Sequence, residues 1–125
     1  MGTKILVVVI GGGLGSAVRY LTSLLGWRLF GAAFPVGTLA VNLVGCLLIG
    51  VALSLADTRG AMSPLTRLLL MTGFLGGLTT FSTFALETIG YAHASSVGVA
   101  ALNIVVTNAG GLAAIVAGMW MGRAL

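Results

Sequence analysis

Four apolar runs take up most of this 125-residue chain, roughly 5–25, 36–56, 65–90 and 97–121, with short polar or turn-rich gaps between them. Each run is close to the ~20 residues a helix needs to cross a hydrocarbon core about 30 Å thick. Only 6% of the residues are charged, against the roughly 25% that keep a soluble domain wet. The expectation is an all-α integral membrane protein of four transmembrane helices, with residues 1–125 forming a single four-span domain. The Lys4 start followed by "ILVVVIGGGLG" has some look of a cleaved signal, but Arg19 interrupts its apolar stretch, so the first span is expected to be retained.

The formal charge of +4 comes from six scattered basic residues against Asp57 and Glu87. No basic cluster exists to meet nucleic acid, and single flank charges of membrane spans account for them better. With four spans, Lys4, Arg59, Arg67 and Arg123 fall on one side and Arg28 on the other. That bias weakly favours an inside N-terminus and is small enough for two insertion orientations. Cys46 is the only cysteine, which excludes a disulfide or zinc framework. "GGGLGS" departs from Gly-x-Gly-x-x-Gly at Ser16, and His93, placed in the loop 91–96, has no partners for an acid–base site. An enzyme is not expected.

Gly11/Gly15, Gly73/Gly77 and Gly118/Gly122 are small-xxx-small pairs that let helices approach closely. Together they predict dense helix contact and an oligomer. Polar residues inside spans normally face protein or a pathway. Thr38 and Asn42 share a face of the second helix, and Asn103 and Thr107 a face of the fourth, with Asn108 beside them. Each pair reads either as interhelical hydrogen bonding or as the lining of an anion path.

The third span carries the main anomaly, "GGLTTFSTF" at 76–84. Two glycines and two threonines weaken a helix, so a break is expected near 76–80. A break at mid-membrane depth is tolerated where it lines a cavity, and the carbonyls it frees can coordinate a cation such as Na⁺. Beyond it, Thr80, Thr83 and Glu87 form a polar stripe at i, i+3 and i+7, and Phe81 and Phe84 lie about 100° round the helix. Aromatic rings have positive edges against which a small anion can rest. Arg19, near an end of the first span, reads as a structural group or as an attractor of anions.

"GGGLGSAVRY", "GTLAVNLVG" and above all "GFLGGLTTFSTF" resemble the Fluc (CrcB) family of small fluoride channels, in order and at the expected spacing. The resemblance implies an antiparallel dual-topology homodimer in the cell's inner (plasma) membrane, with two fluoride pores between subunits. It implies a central structural Na⁺ at the dimer interface, held by the Gly76 and Thr79 carbonyls of both chains. Phe81 and Phe84 match phenylalanines whose ring edges contact fluoride, and Asn42 matches a pore asparagine. Thr80, Thr83 and Glu87 match a polar track, Arg19 the first-span arginine, and Asn103 and Thr107, or Asn108 after a one-residue shift, the fourth-span polar positions. Two other readings compete. A proton-coupled multidrug transporter can also be a four-span dual-topology dimer, but it depends on a first-span carboxylate, which residues 5–25 lack. An accessory subunit would confine its polar groups to one interface, whereas here they occupy three spans.

Overall fold

A computed structural model describes residues 1–60, 62–94 and 96–125, the side chains of Thr58 and Arg59 apart. The Arg59 charge counted above therefore lies outside the described side chains. The described residues contain helices and turns and no strand. Helix α1 runs Gly2–Phe30 and α2 runs Val36–Arg59. The third span is composite: α3 Pro64–Arg67, a π-helical stretch Leu68–Leu75, α4 Gly76–Leu78, two extended residues, then α5 Phe81–His93. Helix α6 runs Val97–Ala124. All four spans are long and apolar enough to cross a membrane. His93 is the last residue of α5 rather than part of a loop, because the helix continues one turn past the expected end.

Local chemistry sets the ends. Gly60 terminates α2 in the left-handed conformation at φ 57° that glycine adopts without a Cβ clash. Ser63 caps α3 by accepting the Thr66 amide at 3.1 Å, and Pro64 occupies the first helical position. Asp57 and Arg67 pair at 2.7 Å across this link, both largely exposed, so the pair adds at most ~1 kcal/mol.

The glycine pairs pack as expected. A methyl group added at Gly11 or Gly15 of α1 would strike the backbone of the third span, and one at Gly77 would strike Gly12. Likewise, a methyl at Gly118 or Gly122 would strike the backbone of α2. In lipid no hydrophobic force pulls apolar helices together, so close backbone packing supplies much of the association. Two tight helix pairs result, α1 with the first half of the third span and α2 with α6. Helix α5 sits mainly on α6 and touches α2 lightly. Only 11–33% of the most apolar stretch of each span is buried, which leaves an apolar exterior for a bilayer to cover.

Candidate functional site

The chain leaves the helix after Leu78. Thr79 (φ −81°, ψ 152°) and Thr80 (φ −151°, ψ 119°) are extended. Thr80 then restarts the helix: its Oγ1 accepts the Thr83 amide at 3.2 Å and donates to the Thr83 hydroxyl at 3.1 Å. The expected polar stripe is therefore a cap at its start, with Thr80 just outside the helix that carries Thr83 and Glu87. Asn42 supports the break from α2. Its Oδ1 accepts the Thr80 amide at 2.8 Å and its Nδ2 donates to the Thr80 carbonyl at 3.1 Å. Thr79 fits in the notch left by Gly45, where a Cβ would strike its methyl group.

In an unbroken helix the carbonyls of residues 76–79 would accept amides four residues ahead. Here the Thr80 amide goes to Asn42 and the Thr83 amide to Thr80's own hydroxyl. Gly77's carbonyl is claimed by Arg19 Nε at 3.1 Å and the Ser16 hydroxyl at 3.4 Å. Arg19 thus braces the break, which is the structural one of its two readings. The Gly76, Leu78 and Thr79 carbonyls receive no donor among the described residues. Of these three residues, Gly76 and Thr79 border an open cavity of about 360 Å³ and Leu78 does not. Among the described residues no group of three or more His, Cys, Asp or Glu could hold a metal.

The same cavity is bordered by Asn42, Thr80, Phe81, Phe84, Thr107 and Asn108. Residues from three spans thus converge on one space. The two phenylalanine rings lie 5.5 Å apart, tilted by 51°. Phe84 is 6% exposed and Phe81 76% exposed, so one ring is held inside the chain's fold and the other projects from it.

Other expected site residues lie elsewhere. Thr38 and Glu87 border a second cavity of about 140 Å³, beside Trp27 and Tyr91, and the Thr38 hydroxyl donates to Glu87 Oε1 at 2.8 Å. Asn103 departs from the cavity-lining expectation. It is 1% exposed and turned inward, with Nδ2 donating to the Thr88 hydroxyl at 2.9 Å and Oδ1 accepting from Thr107 at 3.2 Å. An amide with both ends satisfied inside the fold is interhelical glue rather than lining. Helical spacing alone missed Thr88, Gly45 and Ser16. The available signals were Gly45 closing the "GTLAVNLVG" motif and Ser16 inside "GGGLGSAVRY", and Thr88 had none.

A family model described as "CrcB-like protein, Camphor Resistance (CrcB)" matches residues 6–119. The chain is 41% identical to the fluoride-specific ion channel FluC of Maridesulfovibrio salexigens, over 96% of this chain and 95% of that one. It is 44% identical to a protein of the same name from Rhizobium etli, over 96% of both chains. A third, from Agrobacterium fabrum, is 43% identical over 98% of both. These relatives are named as ion channels and not as enzymes. With the broken third span, its asparagine brace and a match over nearly the whole length, the chain belongs to the CrcB family.

Proposed function

We propose that this chain is a fluoride-selective channel that lets fluoride leave the cell and so limits its toxicity. The observation that carries the reading is the cavity at the broken span. Hydroxyls, an amide and two aromatic rings converge there, in a chain whose relatives are named for fluoride. Fluoride is strongly hydrated, so stripping its water requires several donors at once. Asn108 gives one N–H to the Ile104 carbonyl at 2.7 Å and keeps a second for the ion, and Thr83 beside the cavity keeps its hydroxyl proton. Thr80 and Thr107 would turn theirs from Thr83 and Asn103 to the ion, and the edges of Phe81 and Phe84 add a weaker contact. Asn42, at the same wall, spends its amide bracing the backbone and acts on the path by fixing Thr80. No Lys or Arg is among the described residues bordering the cavity, and Arg19 turns to the Gly77 carbonyl instead, so no basic side chain contacts the ion there, and conduction requires that it leave. Thr38 and Glu87 would form the end of the path at the smaller cavity. Hydrofluoric acid enters across the membrane and dissociates in a more alkaline cytoplasm, and a negative-inside potential then drives fluoride out through the leak.

The working unit in this reading is an antiparallel dual-topology homodimer in the inner membrane, with two paths between the chains. The projecting Phe81 ring and the open cavity support a partner surface there. The free Gly76 and Thr79 carbonyls fit a hard monovalent cation, and paired across two copies they would hold Na⁺ between them. Such an ion would supply a fixed charge that ties the two broken helices together.

Liposomes holding the purified protein should release fluoride and retain chloride. Phe84→Leu should slow the release about tenfold, since aromatic contacts of this kind are worth up to ~1.5 kcal/mol, about one decade. The dimer should persist on gel filtration. Unchanged flux in both Phe84→Leu and Phe81→Leu would return the rings to packing. For the cation, replacing Na⁺ with N-methylglucamine should lower the melting temperature of the detergent-solubilised protein and slow efflux, with both restored by Na⁺. A melting temperature indifferent to Na⁺ would remove the ion from this site.

A further inference from the structure

Thr88 lies at the centre of a buried hydrogen-bond chain that the fluoride path does not itself use. Its hydroxyl donates to the Phe84 carbonyl at 2.7 Å and accepts from Asn103 Nδ2 at 2.9 Å, and Asn103 Oδ1 accepts from the Thr107 hydroxyl at 3.2 Å. Thr107 and Phe84, at the two ends, border the main cavity, whereas Thr88 and Asn103 do not. The chain therefore leaves the cavity wall on α6, passes through the protein interior and returns to the residue whose ring forms another part of that wall.

Its direction is fixed by chemistry. The Thr88 proton is used on a carbonyl, which can only accept, so the hydroxyl can only accept from Asn103. That orients the amide and turns Oδ1 to Thr107. A buried network in which each member has one direction specifies a single arrangement. It also acts on a helix with few other anchors. A methyl group at Gly90 of α5 would meet nothing within 4 Å, and α5 packs mainly on α6. Among the described residues its other long-range hydrogen bonds are the Asn42–Thr80 clamp at its cap, Thr38–Glu87, and the Tyr91 hydroxyl on the Ala32 carbonyl at 2.9 Å. Of the four, the Thr88–Asn103 link is the one that binds α5 to α6, and it does so one turn from the Phe84 ring.

We propose that Thr88 and Asn103 are positioning residues for the anion path: the pair sets the Phe84 ring against α6 and so sets how closely the wall fits the ion. This rests on the reading of Phe84 as part of the path. Thr88→Val keeps the branched shape and removes the hydroxyl, Thr88→Ser keeps the hydroxyl, and Asn103→Leu removes the donor.

The readouts are fluoride efflux per folded dimer and the fluoride-to-chloride ratio in the same liposomes, with folded protein counted by gel filtration. Thr88→Val and Asn103→Leu should each slow fluoride about tenfold, the size of one net hydrogen bond, and lower the ratio. Thr88→Ser should stay within about twofold of the parent, since it keeps that bond. Loss of folded protein alone scales both ions together and leaves the ratio unmoved. In a Phe84→Leu background, Thr88→Val should add nothing further, as coupled sites do. A parental ratio in Thr88→Val, or no recovery in Thr88→Ser, would overturn the role. If Phe84→Leu is slow and Thr88→Val slows it again by the same factor, the positioning role alone fails. If Phe84→Leu conducts like the parent, the reading of the path fails, and this role with it. Should Thr88→Val yield no folded protein, Asn103→Leu and Thr88→Ser decide between the same outcomes.

Discussion

Replacing Asn42 with leucine should lower fluoride efflux about ten- to a hundredfold, the largest functional loss expected from a single side chain here. The reason lies in what the amide holds. Thr80 leads α5 from an extended conformation, so its C=O opens the α5 ladder while its N–H has no carbonyl to turn to, and Asn42 meets the two at 3.1 and 2.8 Å. Leucine of similar size meets neither. The Thr80 N–H is then left without a partner at a part-buried position, which costs ~1–3 kcal/mol, about one to two decades, while its C=O loses only its second donor. Aspartate is no substitute: it can still accept the Thr80 amide, but its second oxygen would face the Thr80 carbonyl and add negative charge to an anion path. Hydrogen exchange supplies the structural half of the test, because the Thr80 amide should exchange slowly in the parent and fast in Asn42→Leu. A variant that conducts within a few-fold of the parent, or that keeps the amide protected, would show that the break holds itself.

This brace also marks how far the bare sequence reaches. Helical spacing placed Thr38 and Asn42 on one face, and both do turn toward the second half of the third span, to Glu87 and Thr80 respectively. Spacing carries no information about which helix faces them, so lining and bracing stayed open until the partners were visible. For Asn103 the same ambiguity resolved the other way from Thr107, although the two are adjacent on one face, because α5 covers the first and leaves the second at the cavity. The break was legible because glycine and threonine propensities are local. The π-helical stretch Leu68–Leu75 was not. Its residues, "LLLMTGFL", read as ordinary apolar helix, and the wider turn is a matter of hydrogen-bond register that composition does not record. Thr88 escaped notice for a related reason. A threonine four residues after Phe84 in an apolar helix is unremarkable until an asparagine from another span reaches it.

The glycine-rich start of "GGGLGSAVRY" separates packing from coincidence most sharply. Gly15→Val should abolish recovery of folded protein, while Gly13→Val, two residues away on the same helix, should be recovered like the parent. A Cβ at Gly13 would have nothing within 4 Å. A Cβ at Gly15 would run into the carbonyl of Phe74 and lie 2.8 Å from the Leu78 amide nitrogen. Those are backbone atoms and cannot rotate aside, so the helices must separate. Overpacking of a core costs ~1–3 kcal/mol when side chains can yield, and here the obstacle cannot yield. Separation would also pull α1 from the break, since Ser16, the next residue, and Arg19, one turn on, reach the Gly77 carbonyl. The measurement is the yield of a single sharp gel-filtration peak in mild detergent, with the melting temperature of whatever is recovered. Gly15→Val recovered at parental yield and stability would mean that the α1 crossing is looser than its geometry, and the role of Arg19 as a brace would fall with it. Equal losses in Gly13→Val and Gly15→Val would point instead to the bulk of valine in this stretch of α1, independent of what each glycine touches.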